Sequence, residues 1–385
     1  MKTVYLDNNA TTQVAPEVID AMLPFFRDAW GNPSSMHSFG GNVKKHVDKA
    51  REQVAALLGA DPSEIIFTSC GSESNNMALR GVVEASGRWP HIITSCVEHP
   101  AVLEVARYLN KKGCRLTELK VNGGGHLDLD ELKASISPSS LLLSLMWANN
   151  ETGVIFPIDE IAPMAKEAGL LVHTDAVQVA GKIPIDVKKV PVDLLSISGH
   201  KLHAPKGVGV LYIRKGTKIS PFILGGHQER SLRAGTENVP YIVGMGKACE
   251  LAMEHMDEEQ TLVAPLRDRL EKEILKICPD TRVNGDPNAR LPNTTNISFE
   301  FIEGEAILLG MNEHGICASS GSACTSGSLE PSHVIRALGV PYTAAHGSIR
   351  FSFSRYNAGE DVDIVLKHLP GVIDRLRKLS PFIKH

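Results

Sequence analysis

The chain of 385 residues is long enough for about two or three domains, and its formal net charge is only −4. Without a basic block, this charge gives no reason to expect a nucleic-acid partner or a membrane surface. No apolar run approaches the roughly 20 residues that cross a bilayer, and the first ten residues contain no apolar signal core. The seven cysteines are scattered and include no Cys-x-x-Cys pair, so we expect a reducing cytoplasm and neither disulfides nor a zinc site.

Short β-prone runs alternate with helical patterns from residue 16 to residue 256. The predicted strands are 64–68, 91–94, 141–147, 169–173, 194–197 and 208–213. This alternation predicts an α/β fold whose large domain, 16–256, has three layers and a mostly parallel sheet.

A smaller α+β domain is predicted for residues 257–385 together with 1–15. Every fourth residue from 262 to 274 is leucine or isoleucine in a charged background, which indicates an amphipathic helix leading into this domain. The predicted elements that follow are strands at 295–301 and 348–353 and a helix at 362–379 with a break or kink at Pro370.

Lys201 lies in a turn of small residues between two of the predicted strands, 194–197 and 208–213. Apolar walls and the neighbours His200 and Lys206 would lower the pKa of such a lysine. A lysine with a lowered pKa is a nucleophile that can form a Schiff base. The local pattern also fits a surface lysine in a hairpin turn.

Asp175 follows the short predicted strand 169–173, at the carboxyl end where open α/β sheets bind ligands. A carboxylate there, followed by a Schiff-base lysine, is the pair that a pyridoxal phosphate (PLP) site requires. The carboxylate keeps the pyridine nitrogen protonated, and the lysine carries the cofactor as an imine. On its own, Asp175 could instead cap the next helix.

Three further segments place polar side chains at strand ends or helix starts. Gly71 and Ser72 occupy a small-residue turn before a predicted helix, where backbone N–H groups bind phosphate or form an ordinary N-cap. His99 precedes Pro100 at another helix start and could stack on a planar ring and shuttle protons, or only cap the helix. Asn150 follows a predicted strand, where its amide suits a cofactor oxygen or a polar turn.

Two arginine-containing segments are candidates for binding anions. Arg350 lies in an alternating strand pattern, where an inward-facing guanidinium could form a bidentate fork with a substrate carboxylate or an internal salt bridge. The glycine-flanked polar loop 225–238 contains Thr236 and two arginines that could meet a phosphate, although a solvated loop has the same composition.

Residues 319–328 are almost entirely small and polar around one thiol, Cys324. Such a stretch has little to bury and much backbone freedom, which predicts a mobile loop. A structural cysteine prefers apolar surroundings, so a thiol in this setting indicates a reactive nucleophile.

With these segments in their chain order, the sequence closely resembles the cysteine desulfurases of the class V aminotransferase family, particularly the nitrogen-fixation (NifS-like) type. The resemblance runs essentially end to end. The matching segments are 5–12, 31–35, 70–74, 98–101, 147–153, 174–178, 199–201, 233–236 and 319–327. One departure is Cys70, where many relatives have glycine, and it places a second thiol near the expected cofactor.

The resemblance implies a role for each residue around the cofactor ring. Lys201 would hold PLP as a Schiff base and later act as acid and base. His99 would stack on the ring and help to move protons, and Asp175 would pair with the ring nitrogen. Gln178 would lie at the phenolic oxygen of the ring, with Asn150 nearby.

The remaining implied roles concern the phosphate, the substrate and the sulfur. The phosphate would be bound by Gly71, Ser72, Ser198 and His200. Thr236 would reach the phosphate of the partner subunit in a homodimer, and Arg350 with Asn150 would hold the substrate carboxylate. Cys324 would attack the sulfur of the bound cysteine.

As a whole, the resemblance implies a PLP-dependent transferase (aspartate aminotransferase-like) fold and a cytoplasmic homodimer. The implied reaction removes sulfur from L-cysteine, giving L-alanine and a persulfide on Cys324. The long cysteine loop matches relatives that pass sulfur to scaffold proteins for iron–sulfur cluster assembly. No intrinsic metal site is expected, although Cys324 could transiently ligate an iron–sulfur cluster shared with a scaffold.

Other functions are compatible with parts of the sequence. Within the same fold, they are a selenocysteine lyase, another class V PLP enzyme, or a sulfur donor mainly for tRNA thiolation. A nucleotide-binding regulatory module would need a clearer dinucleotide turn than segment 244–249 offers. A thiol carrier without catalysis would not need both Lys201 and Asp175. The physiological sulfur acceptor stays open.

Overall fold

A computed structural model of the chain describes residues 2–320 and 330–380. Its largest element is a seven-stranded sheet with the order β2-β8-β7-β6-β5-β3-β4. The strands are β2 Ile65–Thr68, β3 His91–Ser95, β4 Arg115–Leu119, β5 Ser140–Met146, β6 Leu171–Asp175, β7 Leu194–Ser198 and β8 Gly209–Ile213. Strand β8 is antiparallel to both neighbours, whereas the other pairs are parallel, which confirms the predicted mostly parallel sheet.

Helices cover both faces of this sheet and give the predicted three layers. They are α1 Pro16–Met22, α2 Pro24–Arg27, α3 Ser38–Leu58, α4 Gly71–Ser86, α5 Pro100–Lys111, α6 Leu129–Ser135, α7 Ile158–Glu167 and α8 Val239–Glu254. Along β2, Ile65 and Phe67 pack into the core that contains α3 and α8, and Ile66 packs into the core that contains α4 and α5. Because both faces are buried, the strands appear in the sequence as continuous apolar runs.

A second core lies in the part of the chain that follows α8. Its strands are β9 Thr281–Val283, β10 Thr294–Phe299 and β12 Ser348–Ser352 in one antiparallel sheet, and β1 Val4–Tyr5 paired in parallel with β11 Ile316–Cys317. Its helices are α9 Ala264–Ile277, α10 Gly304–Asn312, α11 His333–Ala337, α12 Tyr342–Ala345 and α13 Gly359–Leu379. The N-terminal strand β1 thus packs in the second core.

Helix α13 continues through Pro370, so the predicted break there is not seen. Proline removes one backbone donor from a helix interior. The helix nevertheless buries Val365, Leu369, Val372 and Ile373 on both sides of the proline. This continuous apolar face keeps the two halves in one element. Across the described ranges, no helix combines the length and the apolar character that a membrane crossing needs.

Helices α3 and α8 approach each other too closely for a side chain at residue 246. A Cβ atom on Gly246 would lie 2.6 Å from the Cα atom of Ala50 on α3. The glycine therefore sets the spacing of this helix pair.

Gly246→Ala should lower the free energy of unfolding by about 1–3 kcal/mol, because the added methyl group forces α3 and α8 apart. Urea denaturation followed by circular dichroism measures the change. The matched control is Gly41→Ala on α3, where a Cβ atom meets nothing within 4 Å. Helix propensity alone should make that variant up to about 1 kcal/mol more stable. If Gly246→Ala were as stable as its control, the close approach would not be what requires glycine.

Candidate active site

A cavity of about 330 Å³ lies at the edge of the large sheet where its parallel strands end. Met146, Asp175 and Ser198 are the last residues of β5, β6 and β7, and all three line the cavity. Of the predicted site residues, the cavity wall contains Gly71, Ser72, His99, Asn150, Asp175, Gln178, Ser198, His200, Lys201 and Arg350. Residues scattered over 280 positions of sequence thus meet in one space, as expected for an open α/β sheet.

Lys201 lies in the short turn Gly199–Lys201 between β7 and β8, where the sequence predicted it. Its Nζ atom donates hydrogen bonds to the backbone oxygens of Asn9 at 2.5 Å and Ala10 at 2.6 Å. The side chain therefore crosses the cavity to the N-terminal segment. The turn is tight, because a Cβ atom on Gly199 would lie 2.9 Å from Val208.

Asp175 is the last residue of β6, and only 7 % of its surface is exposed. Each carboxylate oxygen accepts one hydrogen bond. Oδ2 accepts from Nδ2 of Asn75 at 2.7 Å, and Oδ1 accepts from the backbone N–H of Val177 at 3.0 Å. These two donors fix the plane of the carboxylate inside the protein.

His99 is the N-cap of α5, with Pro100 in the first turn as predicted. Its Nδ1 atom accepts a hydrogen bond from the backbone N–H of Ala101 at 3.1 Å. Burial lowers the pKa of His99, and the nearby carboxylate of Asp175 partly opposes this. A neutral imidazole whose Nδ1 accepts must carry its proton on Nε2.

The N-terminus of α4 forms one end of the cavity. Gly71 and Ser72 are its first two residues, and the first N–H groups of a helix have no partner within the helix. A Cβ atom on Gly71 would lie 2.9 Å from Val177 and 3.3 Å from Ser198, so glycine keeps this end open. Cys70, the N-cap of α4, also lines the cavity and brings the second thiol predicted by the sequence.

His200 also lines the cavity, and its Nδ1 is 3.2 Å from Oγ1 of Thr11. Burial, with the charges of Lys201 and Lys206, lowers the pKa of His200 to about 4. It is therefore neutral at pH 7, and its ring can donate or accept one hydrogen bond at each nitrogen according to its tautomer.

Four buried polar atoms of the wall residues have no hydrogen-bond partner among the described residues: Oδ1 of Asn75, Oε1 of Gln178, Oγ of Ser198 and Nε of Arg350. Nε2 of Gln178 is already used, donating to the backbone oxygen of Asn9 at 3.1 Å. Because buried polar atoms are nearly always hydrogen-bonded, these four atoms favour a polar ligand in the cavity. The cavity thus contains a lysine amine, a buried carboxylate and a helix N-terminus. These three groups fit, in that order, the amine-reactive group, the ring nitrogen and the phosphate of PLP.

Arg350 lies on β12, also lines the cavity, and is 4 % exposed. Its guanidinium donates to the backbone oxygen of Asn150 at 3.0 Å and to Oδ1 of Asp7 at 2.8 Å. The backbone of Arg350 pairs with that of Ser319, with N–O distances of 2.6 and 3.2 Å. The chain entering the predicted cysteine loop is thus attached to the strand that carries Arg350.

Of the predicted site residues that the structure describes, Thr236 is not in the cavity wall. Thr236 lines a separate hollow of about 210 Å³, together with Glu229 and Arg233. Cys324 lies outside the described residues, so its position relative to the cavity stays a prediction.

The sequence analysis gave no role to Asn75 or Asn9. Asn75 holds Asp175, and the backbone oxygen of Asn9 accepts hydrogen bonds from both Lys201 and Gln178. Asn9 lies in segment 5–12, whose resemblance to the family was a usable signal. The pattern around Asn75 contained none, because its partner is 100 residues away.

Comparisons with known proteins agree with this geometry. Residues 4–365 match the model of the family described as aminotransferase class-V. A cysteine desulfurase of Trichormus azollae is 59 % identical over 382 residues, which cover 99 % of this chain and 96 % of that relative. The cysteine desulfurase NifS of Azotobacter vinelandii is 55 % identical over 383 residues, covering 99 % and 95 %. A solved structure described as a NifS-like protein has a TM-score of 0.92 at 41 % identity and covers 97 % of this chain and 100 % of that one.

The chain therefore belongs to the class V aminotransferase family. Its fold is that of the PLP-dependent transferases, as the resemblance implied.

Glu98 is completely buried beside this site, next to His99 in the chain. Its Oε1 accepts hydrogen bonds from Oγ of Ser95 at 2.6 Å and from the backbone N–H of Met146 at 2.9 Å. Burial raises the pKa of Glu98 to about 8, and the charge of Asp175 contributes in the same direction. Glu98 is therefore mostly protonated at pH 7.

Glu98 should make the folded chain less stable as the pH rises. Between the unfolded value of 4.5 and the folded value of about 8, the folded protein keeps a proton that the unfolded chain loses. Relative to Glu98→Gln, the free energy of unfolding should fall by about 1–4 kcal/mol from about pH 5 to about pH 8. Denaturation at several pH values measures this. The control Glu104→Gln, at an exposed position of α5, should show the same pH dependence as the wild type. If the free energies of unfolding of the wild type and Glu98→Gln differed by the same amount at every pH, the raised pKa of Glu98 would be wrong.

Proposed function

We propose that the chain is a cysteine desulfurase, which removes sulfur from L-cysteine and releases L-alanine. The observation that carries the proposal is the cavity that joins Lys201 and Asp175 with an arginine in its wall. Relatives named cysteine desulfurase align with 99 % of the chain. A transaminase would need the same lysine and carboxylate but no thiol, so Cys324 favours sulfur chemistry.

The residues around the cavity provide a separate contact for each part of PLP. Lys201 would hold the cofactor covalently, Asp175 would face the ring nitrogen, and the α4 N-terminus with Ser198 and His200 would take the phosphate. The second N–H of Gln178 Nε2, whose first donates to Asn9, would donate to the ring oxygen. When bound, PLP supplies an electron sink that stabilises negative charge next to the amino group of the substrate.

Substrate binding would fall to Arg350 and Asn150, and proton movement would fall to His99 and Lys201. Arg350 would bind the substrate carboxylate through its planar fork, with Asn150 beside it. This requires the guanidinium to share or exchange its contact with Asp7, which lies 2.8 Å away. His99, whose pKa is lowered by burial, would stack on the ring and help to move protons through its Nε2–H. Lys201 Nζ would take the proton from the substrate Cα.

Sulfur removal needs a nucleophile besides these groups, and Cys324 supplies it. Its thiolate would attack the sulfur of the substrate, forming an S–S bond while the Cβ–S bond breaks. The bonding electrons stay with the substrate carbon, which takes up a proton and leaves as alanine. The persulfide on Cys324 then carries the sulfur to an acceptor.

The same function implies partners. The acceptor would be an iron–sulfur scaffold or another sulfur-accepting protein in the cytoplasm, and Cys324 could transiently share a cluster with it. The chain would act as a homodimer, with Thr236 reaching the phosphate of the partner's cofactor. The position of Thr236 supports the homodimer, because Thr236 does not line the cavity that contains Lys201 of the same chain but lines a separate hollow. The division into domains at 16–256 and 257–385 with 1–15 belongs to the same proposal.

Cys324→Ala should abolish sulfide release from cysteine and leave the visible absorbance of bound PLP unchanged, because the thiol acts only after the cofactor has bound the substrate. Sulfide and alanine release are measured together with the absorption spectrum. Cys70→Ala is the matched control, since Cys70 lines the cavity but has no assigned role, and it should retain activity. Undiminished sulfide release by Cys324→Ala would refute the assigned nucleophile.

Lys201→Ala should lose multiple turnover, with a rate at least about 10²-fold lower, because both the covalent attachment and the proton transfer disappear. The matched control is Lys206→Ala. Lys206 is exposed and lies five residues further along the connection between β7 and β8. Alanine formation per active site, followed over several turnovers, distinguishes the two. Turnover of Lys201→Ala at the rate of Lys206→Ala would overturn the Schiff-base role.

A further inference from the structure

Asn75 contributes a buried amide to the cavity wall that no step of the proposed function uses. It is 1 % exposed, and its Nδ2 donates to Oδ2 of Asp175 at 2.7 Å. Its Oδ1 has no hydrogen-bond partner among the described residues. A carboxylate only accepts hydrogen bonds, so the nitrogen of this amide must face Asp175.

The two donors to Asp175 come from different parts of the fold. Asn75 belongs to α4, and Val177 belongs to the turn that follows β6. With only the Val177 contact, the carboxylate could rotate about its Cβ–Cγ bond. The contact from α4 prevents this rotation, so a group that binds Asp175 meets it in one orientation.

Helix α4 also carries the end of the cavity that would bind a phosphate. Ser72 and Asn75 are three residues apart, which places them on the same face of the helix. The first turn of α4 is held by the hydrogen bond between the hydroxyls of Thr68 and Ser74, at 2.8 Å, and Ser74 also donates to the backbone oxygen of Cys70 at 3.2 Å. One rigid turn therefore fixes how far the phosphate end lies from the carboxylate.

We propose that Asn75 is a positioning residue that acts through Asp175. Its amide holds the carboxylate at a fixed distance and angle from the helix N-terminus, so that both ends of one PLP molecule fit at once. This inference rests on the proposed function in taking PLP as the ligand.

A double-mutant cycle on PLP binding tests the proposal. The variants are Asn75→Leu, Asp175→Asn and the double variant, and the readout is the dissociation constant of PLP from each apoprotein, measured by absorbance. Asn75→Leu keeps the volume but removes the donor, so PLP should bind about 10- to 100-fold more weakly, the usual value of a hydrogen bond to a charged group. In the Asp175→Asn background, the same change should weaken binding less than about threefold.

Asn284→Leu is the matched control for the loss of a buried amide. Asn284 is 2 % exposed, donates at 2.7 Å to Asn296, and also has an unpartnered Oδ1 among the described residues. It lies outside the cavity wall, so this variant should lower the melting temperature without changing the PLP dissociation constant. An effect of Asn75→Leu on stability alone, like that of the control, would show a merely structural role and overturn the proposal.

Two other results would also overturn it: wild-type PLP affinity in Asn75→Leu, or a loss of affinity that is equally large with and without Asp175. If Asn75→Leu does not fold, Asn75→Ala in the same cycle decides by the same criteria. If the wild-type protein bound PLP but released no sulfide from cysteine, the proposed function would be refuted. The double-mutant cycle would still test the role of Asn75, because it measures only cofactor binding.

Discussion

The buried carboxylate of Asp175 is the constraint on which the rest of the site depends. An ionised carboxylate that is only 7 % exposed is costly to the fold unless hydrogen bonds and a compensating charge surround it. Two hydrogen bonds come from Asn75 and Val177, and the lysine amine lies in the wall of the same cavity. The parallel strands determine where such a carboxylate can lie. At the carboxyl ends of β5, β6 and β7, polar side chains can meet without interrupting the hydrogen bonds of the sheet.

The sequence was sufficient for the parts of the fold that are buried on both sides. The strands β2, β3, β5, β6, β7 and β8 were found because each is a short run rich in aliphatic or β-branched residues. Strand β4 was missed because it lies at the sheet edge, where Arg115 is exposed and the next three residues are only half-buried. Helix α13 showed the opposite difficulty, since a local rule about Pro370 was outweighed by tertiary packing of the helix.

Within the site, the sequence located side chains that have a local signature, such as Lys201 in its small-residue turn and Asp175 after its strand. It did not locate the groups that act through contacts distant in sequence. The backbone oxygens of Asn9 and Ala10 have no side-chain chemistry to recognise, and Asn75 is one amide among several near the start of α4. The family resemblance supplied roles for side chains, whereas the contacts between them required the structure.

The N-terminal segment has a consequence for the order in which the molecule is assembled. The turn that holds Lys201 joins neighbouring strands and closes locally, but the bond from Lys201 to Asn9 spans 192 residues and that from Arg350 to Asp7 spans 343. Contacts of such separation carry the largest loop-closure entropy and form late. The bond from Asn9 therefore needs the middle of the chain and the bond from Asp7 needs its C-terminal part, so we expect the cavity wall to be completed late in folding.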